Sequence, residues 1–306
     1  MTSCIEVSEA GWLPARFNKG WTYKQKVSSL DAEKEISELL ASLYPHSTLQ
    51  TWQRRLKKNQ IRLNGHEVTD EQTLKPGDQL CWRRPPWKEA AIPSSWKVLF
   101  DNGDLLVINK PSGLPVMPGG GFLQHTLTGL LKSRFAASGE ALIPKPVHRL
   151  GRFSSGVLVC ARHAASRAKI SAFFRQTSAG ETTCKKIYRA LAQPNSSLSI
   201  NETVLVNTPI EKHPHPLVGH IWSTAKRHQK VYLDNPITSQ LSALSKVKLL
   251  ERRKDVDLLE VTITTGRPHQ IRIHLAALGT PLLGDRLYGP EGKLSSLHLP
   301  LSLSLC

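Results

Sequence analysis

Two short segments of this 306-residue sequence concentrate side chains that could act on a substrate. The first runs from Val147 to Gly156 and contains His148 and Arg149. The second runs from Thr265 to Leu275 and contains Arg272. A guanidinium is planar, so it can pair with an oxyanion through two hydrogen bonds or stack on a flat ring. Both segments are therefore candidate parts of a functional site.

The residues at 147–156 resemble the His-Arg-Leu-Asp loop of the RluA family of RNA pseudouridine synthases. Gly151 stands where that family carries its nucleophilic aspartate. The residues at 265–275 resemble the family's Gly-Arg-x-His-Gln-Ile-Arg motif, and 110–116 and 186–191 resemble its first motif and its tyrosine motif. The four blocks occur in family order, and a chance match to all four is far rarer than a match to one.

This resemblance implies isomerisation of uridine to pseudouridine in RNA, with no metal and no cofactor. The target base must leave its stack before the sugar–base bond can be reached. Tyr188 would stack on the base and accept or relay the proton of carbon 5. Arg149 would fill the space that the base leaves, and Arg272 would pair with the nucleophile. The family motifs also predict RNA-binding roles for His148, Arg267, His269 and Lys186.

Gly151 offers neither a nucleophile nor an anion to the predicted site. Arg272 then needs another partner, because a buried unpaired guanidinium is costly. Asp285, Asp101 and Asp104 are candidate carboxylates, and Asp285 also matches a family position in Gly-Asp-x-x-Tyr-Gly. A relocated acid, a phosphate partner and loss of catalysis all remain open. The alternative to the enzyme is a catalytically inactive RNA-binding homologue or an RNA chaperone.

A helix is predicted to hold the second segment. Gly266 and Pro268 indicate its start, and His269 and Arg272 would share one of its faces. A separate apolar face would anchor the helix. The residues of that face are Ile271, Leu275 and Leu278.

The pattern from residue 89 to 306 predicts one catalytic domain. Apolar runs at 98–100 and 105–108 flank Asp101–Asp104, which indicates a hairpin, and a Gly- and Pro-rich loop follows at 111–121. Strands and helices do not alternate regularly, so the predicted class is α+β, a mainly antiparallel mixed β-sheet with flanking helices. We expect helices around 123–132 and 163–175, and strands around 156–160, 187–192, 246–251 and 257–264.

Residues 28–88 predict a small α/β module in front of that domain, after an N-terminal extension at 1–27. Helical spacing ends at Pro45, and a second helix is expected from Thr48 to Asn59. Asn64-Gly65 then marks a hairpin, and residues 83–88 form a proline-stiffened linker. This order resembles the small RNA-binding module first seen in a ribosomal small-subunit protein.

A basic cluster lies on the second helix of this module. Arg54, Lys57 and Lys58 share one helical face, and Arg62 follows, with no acid between residues 54 and 62. Such a face can meet phosphates, although a solvated helix face is the alternative. Its position in the module favours RNA binding.

The overall charge also favours a nucleic-acid partner. Lysine and arginine total 41 against 24 acidic residues, which gives a formal net charge of +17. A polyanion would be attracted, and its binding would be sensitive to salt. We expect tRNA or rRNA as the partner and a monomeric protein.

Five scattered cysteines without a Cys-x-x-Cys pair predict neither a disulfide framework nor a zinc site. They favour an intracellular reducing compartment, cytoplasm or nucleus before an organelle. Four histidines between His213 and His228 are interrupted by prolines, so we predict no metal there. No apolar run approaches the roughly 20 residues that span a bilayer. Residues 297–306 alternate like an edge strand, and the catalytic domain is expected to be shortened there.

Overall fold

A computed structural model of the chain describes residues 11–177, 185–215, 219–224, 240–285 and 287–289. The described residues divide into two compact units, one ending at Ser171 and the other beginning at Ala172. All ladders between the strands named below are antiparallel. The predicted α+β class with a mainly antiparallel sheet is confirmed.

The described part of the first unit contains twelve strands and the start of a fourth α-helix. In chain order these elements are β1 (Trp12–Leu13), β2 (Arg16–Phe17), β3 (Trp21–Lys26), α1 (Ile36–Leu43), α2 (Leu49–Lys57), β4 (Ile61–Leu63), β5 (His66–Glu67), β6 (Gln79–Arg84), β7 (Lys88–Glu89), β8 (Ile92–Pro93), β9 (Lys97–Asp101), β10 (Leu105–Lys110), α3 (Leu127–Ala137), β11 (Lys145–Pro146), β12 (Gly156–Ala161) and α4 (Ala164–Thr177).

The N-terminal module, residues 21–84, has a core of its own. Its sheet has the order β3-β6-β4-β5 and packs with α1 and α2 around the buried Trp52 and Trp82. Asn64 and Gly65 both have positive φ, 51° and 89°, as the predicted tight hairpin requires. Residues 21–26, which the sequence placed in the extension, form the strand β3 at the edge of this sheet.

The sheet β11-β12-β10-β9 and the helix α3 surround a second core in the first unit. The helix starts at Leu127, four residues later than the sequence indicates. The cause is Glu89, which is 1% exposed and accepts hydrogen bonds from the backbone N–H groups of residues 123, 124 and 125. Thr126 then caps the helix by accepting from Gly129 N at 3.1 Å.

The second unit is built around the sheet β13-β18-β17-β14, with a separate hairpin β15-β16. One face of the sheet forms a core with Leu275, and Ile271 and Leu278 pack at its margin, as the predicted apolar face requires. The new elements are β13 (Lys186–Ala192), β14 (Thr203–Val206), β15 (Ile210–His215), β16 (Gly219–Thr224), β17 (Ser245–Arg253), β18 (Val256–Ile263) and α5 (Gln270–Ala277).

The helix α5 begins at Gln270 and not at the predicted Gly266–Pro268. His269 has a left-handed backbone, with φ of 55°, so regular helix cannot extend through it. The Gln270 side chain accepts from Thr265 Oγ1 at 2.7 Å and from Arg267 N at 3.1 Å, which holds the preceding turn. His269 is therefore the cap of the helix. The segment 297–306 lies outside the described residues.

Candidate active site

A buried ammonium holds the loop at 147–156 in place within the first unit. Lys110 is fully buried at the end of β10, and its Nζ donates to the carbonyl oxygens of Pro111 and Leu114, each at 2.8 Å. A third hydrogen bond reaches Arg152 O in the loop at 3.1 Å. Burial of a charge is costly unless its donors are satisfied, so these carbonyl groups fix the ammonium and the loop together.

Three more hydrogen bonds join the same turn to the loop. Gly113 N donates to Arg152 O at 2.9 Å, and Arg152 Nε donates to Gly113 O at 3.2 Å. Ser112 Oγ donates to Phe153 O at 2.8 Å. The residues resembling the family's first motif therefore position the loop that contains Gly151.

His148 and Arg149 have different surroundings in this loop. The His148 ring accepts a hydrogen bond at Nε2 from Val159 N, 3.0 Å away, so that nitrogen carries no proton. His148 thereby ties the loop to β12. Arg149 is exposed, which leaves its guanidinium accessible to a substrate.

Gly151 is exposed and does not have a positive φ. A Cβ added there would meet only Ser154 Oγ within 4 Å, at an ordinary contact distance of 3.4 Å. The loop backbone therefore accepts a residue with a side chain at this position. Glycine is not required by backbone geometry.

Arg272 of α5 forms a bidentate ion pair with Asp285 in the second unit. Arg272 Nε lies 2.7 Å from Asp285 Oδ2, and Nη2 lies 2.7 Å from Oδ1. Oδ1 also accepts from the backbone N–H groups of Leu287 and Tyr288. Burial alone would raise the pKa of the Asp285 carboxyl, but the hydrogen bonds and charge of Arg272 outweigh burial and lower it.

Tyr288 joins the ion pair to His269. Its ring lies against the Arg272 guanidinium, with the centroid 4.8 Å from Cζ. Its hydroxyl donates to Trp222 O at 2.8 Å and lies 2.7 Å from His269 Nδ1. A hydroxyl has one proton to donate, so His269 donates from Nδ1. His269 and Arg272 thus meet at Tyr288, although only Arg272 is within the helix.

Gln270 and His274 of α5 are both buried, and their side chains hold the helix in place. Gln270 Nε2 donates to Ser245 Oγ at 3.0 Å, and the same hydroxyl lies 2.8 Å from His274 Nδ1. His274 Nε2 contacts Thr208 O at 3.0 Å. Desolvation lowers the pKa of His274, so its ring is neutral near pH 7. This network fixes the helix that presents Arg272.

Tyr188 is half-buried on the central part of β13, opposite Val261 of β18. Burial raises the pKa of its phenol, so the hydroxyl stays protonated at neutral pH. Two other predicted RNA-binding residues make contacts inside this unit. Lys186 Nζ donates to Phe174 O at 3.4 Å, and Arg267 Nε donates to Ser242 O at 2.9 Å.

The two remaining candidate carboxylates are committed to neighbours in the first unit. Asp101 forms two hydrogen bonds with the Arg162 guanidinium, at 2.8 and 2.9 Å. Asp104 accepts from Ser166 Oγ at 2.5 Å and from His163 N at 3.2 Å. Asp285 is the candidate that contacts Arg272.

The predicted basic cluster divides in the structure. Arg54, Lys57 and Lys58 are exposed at the C-terminal end of α2. Arg62 lies on β4 and pairs with Glu67 at 2.7 Å, so its charge is compensated. The cluster of three is the exposed basic end of α2.

Two arginines that the sequence analysis did not single out lie beside this end of α2. Arg55 is held over the rings of Trp52 and Trp82, at 4.3 and 4.5 Å, and Arg84 lies 3.7 Å from the Trp87 ring. Both line a shallow groove together with Arg54 and Lys58. The spacing of Trp52 and Arg55, three residues apart on a helix, was the available signal.

The described residues include no group of three or more His, Cys, Asp or Glu side chains placed to hold a metal. Within the same part of the chain, no helix is long and apolar enough to cross a membrane. The described thiols, Cys81 and Cys160, are both free.

Comparison with known proteins identifies the family of this chain. A family described as RNA pseudouridylate synthase matches residues 104–277. An uncharacterized RNA pseudouridine synthase of Synechocystis is 42% identical over 249 residues, which cover 81% of this chain and 77% of the relative. RNA pseudouridine synthase 5 of Arabidopsis thaliana is 38% identical over 299 residues, covering 90% and 77% of the two chains.

A bacterial relative supports that assignment, and a solved structure shares the fold. The ribosomal large subunit pseudouridine synthase D of Xylella fastidiosa is 32% identical over 286 residues, covering 90% of this chain and 77% of the relative. Human RNA pseudouridylate synthase domain containing 1 shares the fold, with a TM-score of 0.51 and 22% identity over 66% of this chain and 74% of the human one. The chain belongs to the RNA pseudouridine synthase family, of the RluA type, as its motifs predicted.

Proposed function

We propose that this protein isomerises uridine to pseudouridine in structured RNA with the chain's own side chains. The observation that carries the proposal is the family match over 104–277, which includes Tyr188, Arg272 and the loop at 147–156. The reaction requires a flat side chain against the mobile base and a means of moving the proton of carbon 5. Tyr188 supplies a flat ring for the first task. Its hydroxyl is protonated at neutral pH, so for the second task it relays the proton: it releases its own proton to solvent as it accepts the one from carbon 5.

We assign the individual roles from the contacts of each residue. Tyr188 stacks on the base, because its ring is flat and its hydroxyl is polar. Arg149 replaces the flipped base in the RNA, because it is exposed and its guanidinium can stack. Arg272 orients the reacting groups from α5, where His269 and Tyr288 fix its position.

Asp285 pairs with Arg272, so this arginine has a charge partner although residue 151 is glycine. The Asp285 side chain is 3% exposed and its oxygens are occupied by Arg272 and two backbone N–H groups, so we do not assign it as the nucleophile. Asp101 and Asp104 are also engaged. We therefore expect the wild-type protein to turn over slowly, because no carboxylate stands at 151.

The proposed substrate is ribosomal RNA, the class that the name of the Xylella fastidiosa relative implies for that relative. We propose that the N-terminal module contributes phosphate contacts through Arg54, Lys57 and Lys58, since these three cations are exposed on one end of a helix. We also propose that the protein is a monomer, that it acts in an intracellular reducing compartment, and that its reaction uses no metal. Free thiols at Cys81 and Cys160 support that compartment.

Pseudouridine mapping tests this proposal directly. Purified wild-type protein is incubated with unmodified rRNA and tRNA transcripts, and pseudouridine is mapped in each. New pseudouridine at a defined position, lost in Tyr188→Ala and Arg272→Ala, is the expected result. RNA binding without any pseudouridine in either transcript set would overturn the proposed activity and favour a non-catalytic RNA-binding homologue.

A further inference from the structure

A groove in the first unit has no role in the reaction described above. It lies beside α3, β11 and the start of α4, and it encloses about 690 Å³. Specific sites for small ligands have volumes of roughly 300 to 1,000 Å³, so one nucleotide fits this space. The groove is separate from the basic end of α2, which belongs to the N-terminal module.

Three cations from three different elements line the groove. Lys132 comes from α3, Lys145 from β11 and Arg167 from α4. Arg167 Nη1 donates to Arg162 O at 2.5 Å, which fixes that side chain at the groove wall. No aspartate or glutamate is among the described lining residues, and none of the three cations forms an ion pair with a described carboxylate. Such a wall attracts an anion.

Apolar side chains line the groove beside the three cations. Met117, which is 51% exposed, and Ile143 and Pro146 present carbon surface next to the cations. A phosphate ion alone would gain nothing from contact with this carbon surface. A nucleotide uses both parts of the groove, because its phosphate pairs with the cations and its base removes the apolar side chains from water.

The groove also continues directly into the loop that holds Gly151. Pro146 precedes Val147 and His148, and Ser171 Oγ of the groove donates to Val147 O at 3.3 Å. Gly151 is the fifth residue after Pro146, so the chain between them spans at most about 18 Å. An RNA strand bound at the loop can therefore place a neighbouring nucleotide in the groove.

We propose that this groove binds one nucleotide of the substrate RNA that flanks the target uridine. Its phosphate lies among Lys132, Lys145 and Arg167, and its base lies on Ile143 and Pro146. Contacts to an apolar surface accept any base, so the groove sets the position of the strand and does not read its sequence. The inference rests on the proposed function, because the target uridine defines the flanking nucleotide.

A charge variant and a matched control test the groove in the full-length protein. The variant is Lys132→Ala with Lys145→Ala, and the control is Lys24→Ala with Lys26→Ala, which removes two exposed lysines of β3 in the module. The probe is a hairpin RNA with a uridine loop that carries 4-thiouridine at one position at a time. Circular dichroism establishes that both variants are folded.

The expected result has three parts. The wild-type protein crosslinks through a thiouridine next to the reactive position to a peptide that contains residues 128–132 or 143–146. The groove variant loses that crosslink and binds the hairpin about tenfold more weakly than the control. Its salt slope falls by roughly 0.7, the value for one lost phosphate contact on a single strand.

Equal crosslinking and affinity in the groove variant and the control would overturn the proposal that the groove binds a nucleotide, even where both proteins form pseudouridine. A groove-dependent crosslink in RNA that gains no pseudouridine supports the groove as an RNA site and counts against the proposed reaction. A wild-type protein that fails to bind the hairpin overturns both.

Discussion

The guanidinium of Arg272 and the carboxylate of Asp285 form a bidentate ion pair through two hydrogen bonds of 2.7 Å. This pairing means that Arg272 does not depend on residue 151 for charge compensation. Asp285 is 3% exposed and Arg272 is 33% exposed, so the pair combines a buried anion with a half-buried cation. The replacement of aspartate by glycine at 151 is therefore compatible with a stable second unit.

Asp285→Asn is expected to lower the free energy of unfolding by about 2 kcal/mol. The amide cannot accept two hydrogen bonds from the guanidinium while also accepting from the backbone, so Arg272 loses its counter-charge. Chemical denaturation measures the effect, and Asp255→Asn, an exposed site, is the matched control. Asp285→Asn stability equal to that of the control would show that the pair contributes nothing.

The same pair predicts a pH dependence with a defined sign. The pKa of Asp285 is lowered from 3.8 in the folded protein, so its contribution is complete above the unfolded pKa and disappears as pH falls through the folded pKa. The stability difference between wild type and Asp285→Asn should be constant from about pH 5 to 7 and shrink below about pH 4. A difference that grows as pH falls would contradict this sign.

Gly151→Asp is expected to raise the rate of pseudouridine formation by roughly 100-fold or more. The backbone at 151 accepts a Cβ, so the variant should melt at the wild-type temperature. Gly151→Asn is the control, because it adds nearly the same volume without the carboxylate. A stable, RNA-binding Gly151→Asp protein that is no faster than Gly151→Asn would remove residue 151 from the explanation of activity.

The triple variant Arg54→Ala, Lys57→Ala and Lys58→Ala is expected to weaken binding to structured RNA. Loss of three phosphate contacts reduces the salt slope by about 2 to 3. Binding is measured from low to physiological salt, with Lys24, Lys26 and Lys75 changed to Ala as a control of equal charge. An identical slope in the two triple variants would exclude a specific role for the end of α2.

Lys110→Met is expected to destabilise the protein by about 2 to 4 kcal/mol. Methionine has a similar length but donates no hydrogen bond, so the carbonyl groups of Pro111, Leu114 and Arg152 lose a buried donor. Proteolysis inside 147–156 should also become faster, because the loop loses its anchor. Lys132→Met on the surface of α3 is the control, and equal stability in the two would refute this role of Lys110.

Local signals in the sequence predicted several elements correctly. The pair Asn64-Gly65 predicted the hairpin correctly, because two adjacent residues that tolerate positive φ define that turn. The strands expected around 187–192 and 257–264 are present as β13 and β18. The family and its α+β fold also followed from four short motifs.

Long-range contacts account for what the sequence did not predict. The start of α3 depends on Glu89, which lies 34 to 36 residues earlier in the chain. Three carboxylates were candidate partners of Arg272, and only tertiary structure brings Asp285 to it. Arg55 belongs to the basic run of the sequence, but its contact with Trp82 was not predicted, because α2 and β6 are far apart in the chain.

Glu89 also determines how this chain can be divided or recombined. Its carboxylate accepts hydrogen bonds from the backbone N–H groups of residues 123–125 and, at 2.6 Å, from the side-chain amide of Asn18. A truncated protein that starts at Ile92 would leave those N–H groups in the interior without an acceptor, at about 1 to 3 kcal/mol each. Any exchange of the N-terminal module for another domain must therefore retain β7 with the C-terminal part, which places the permissible junction at residues 85–87.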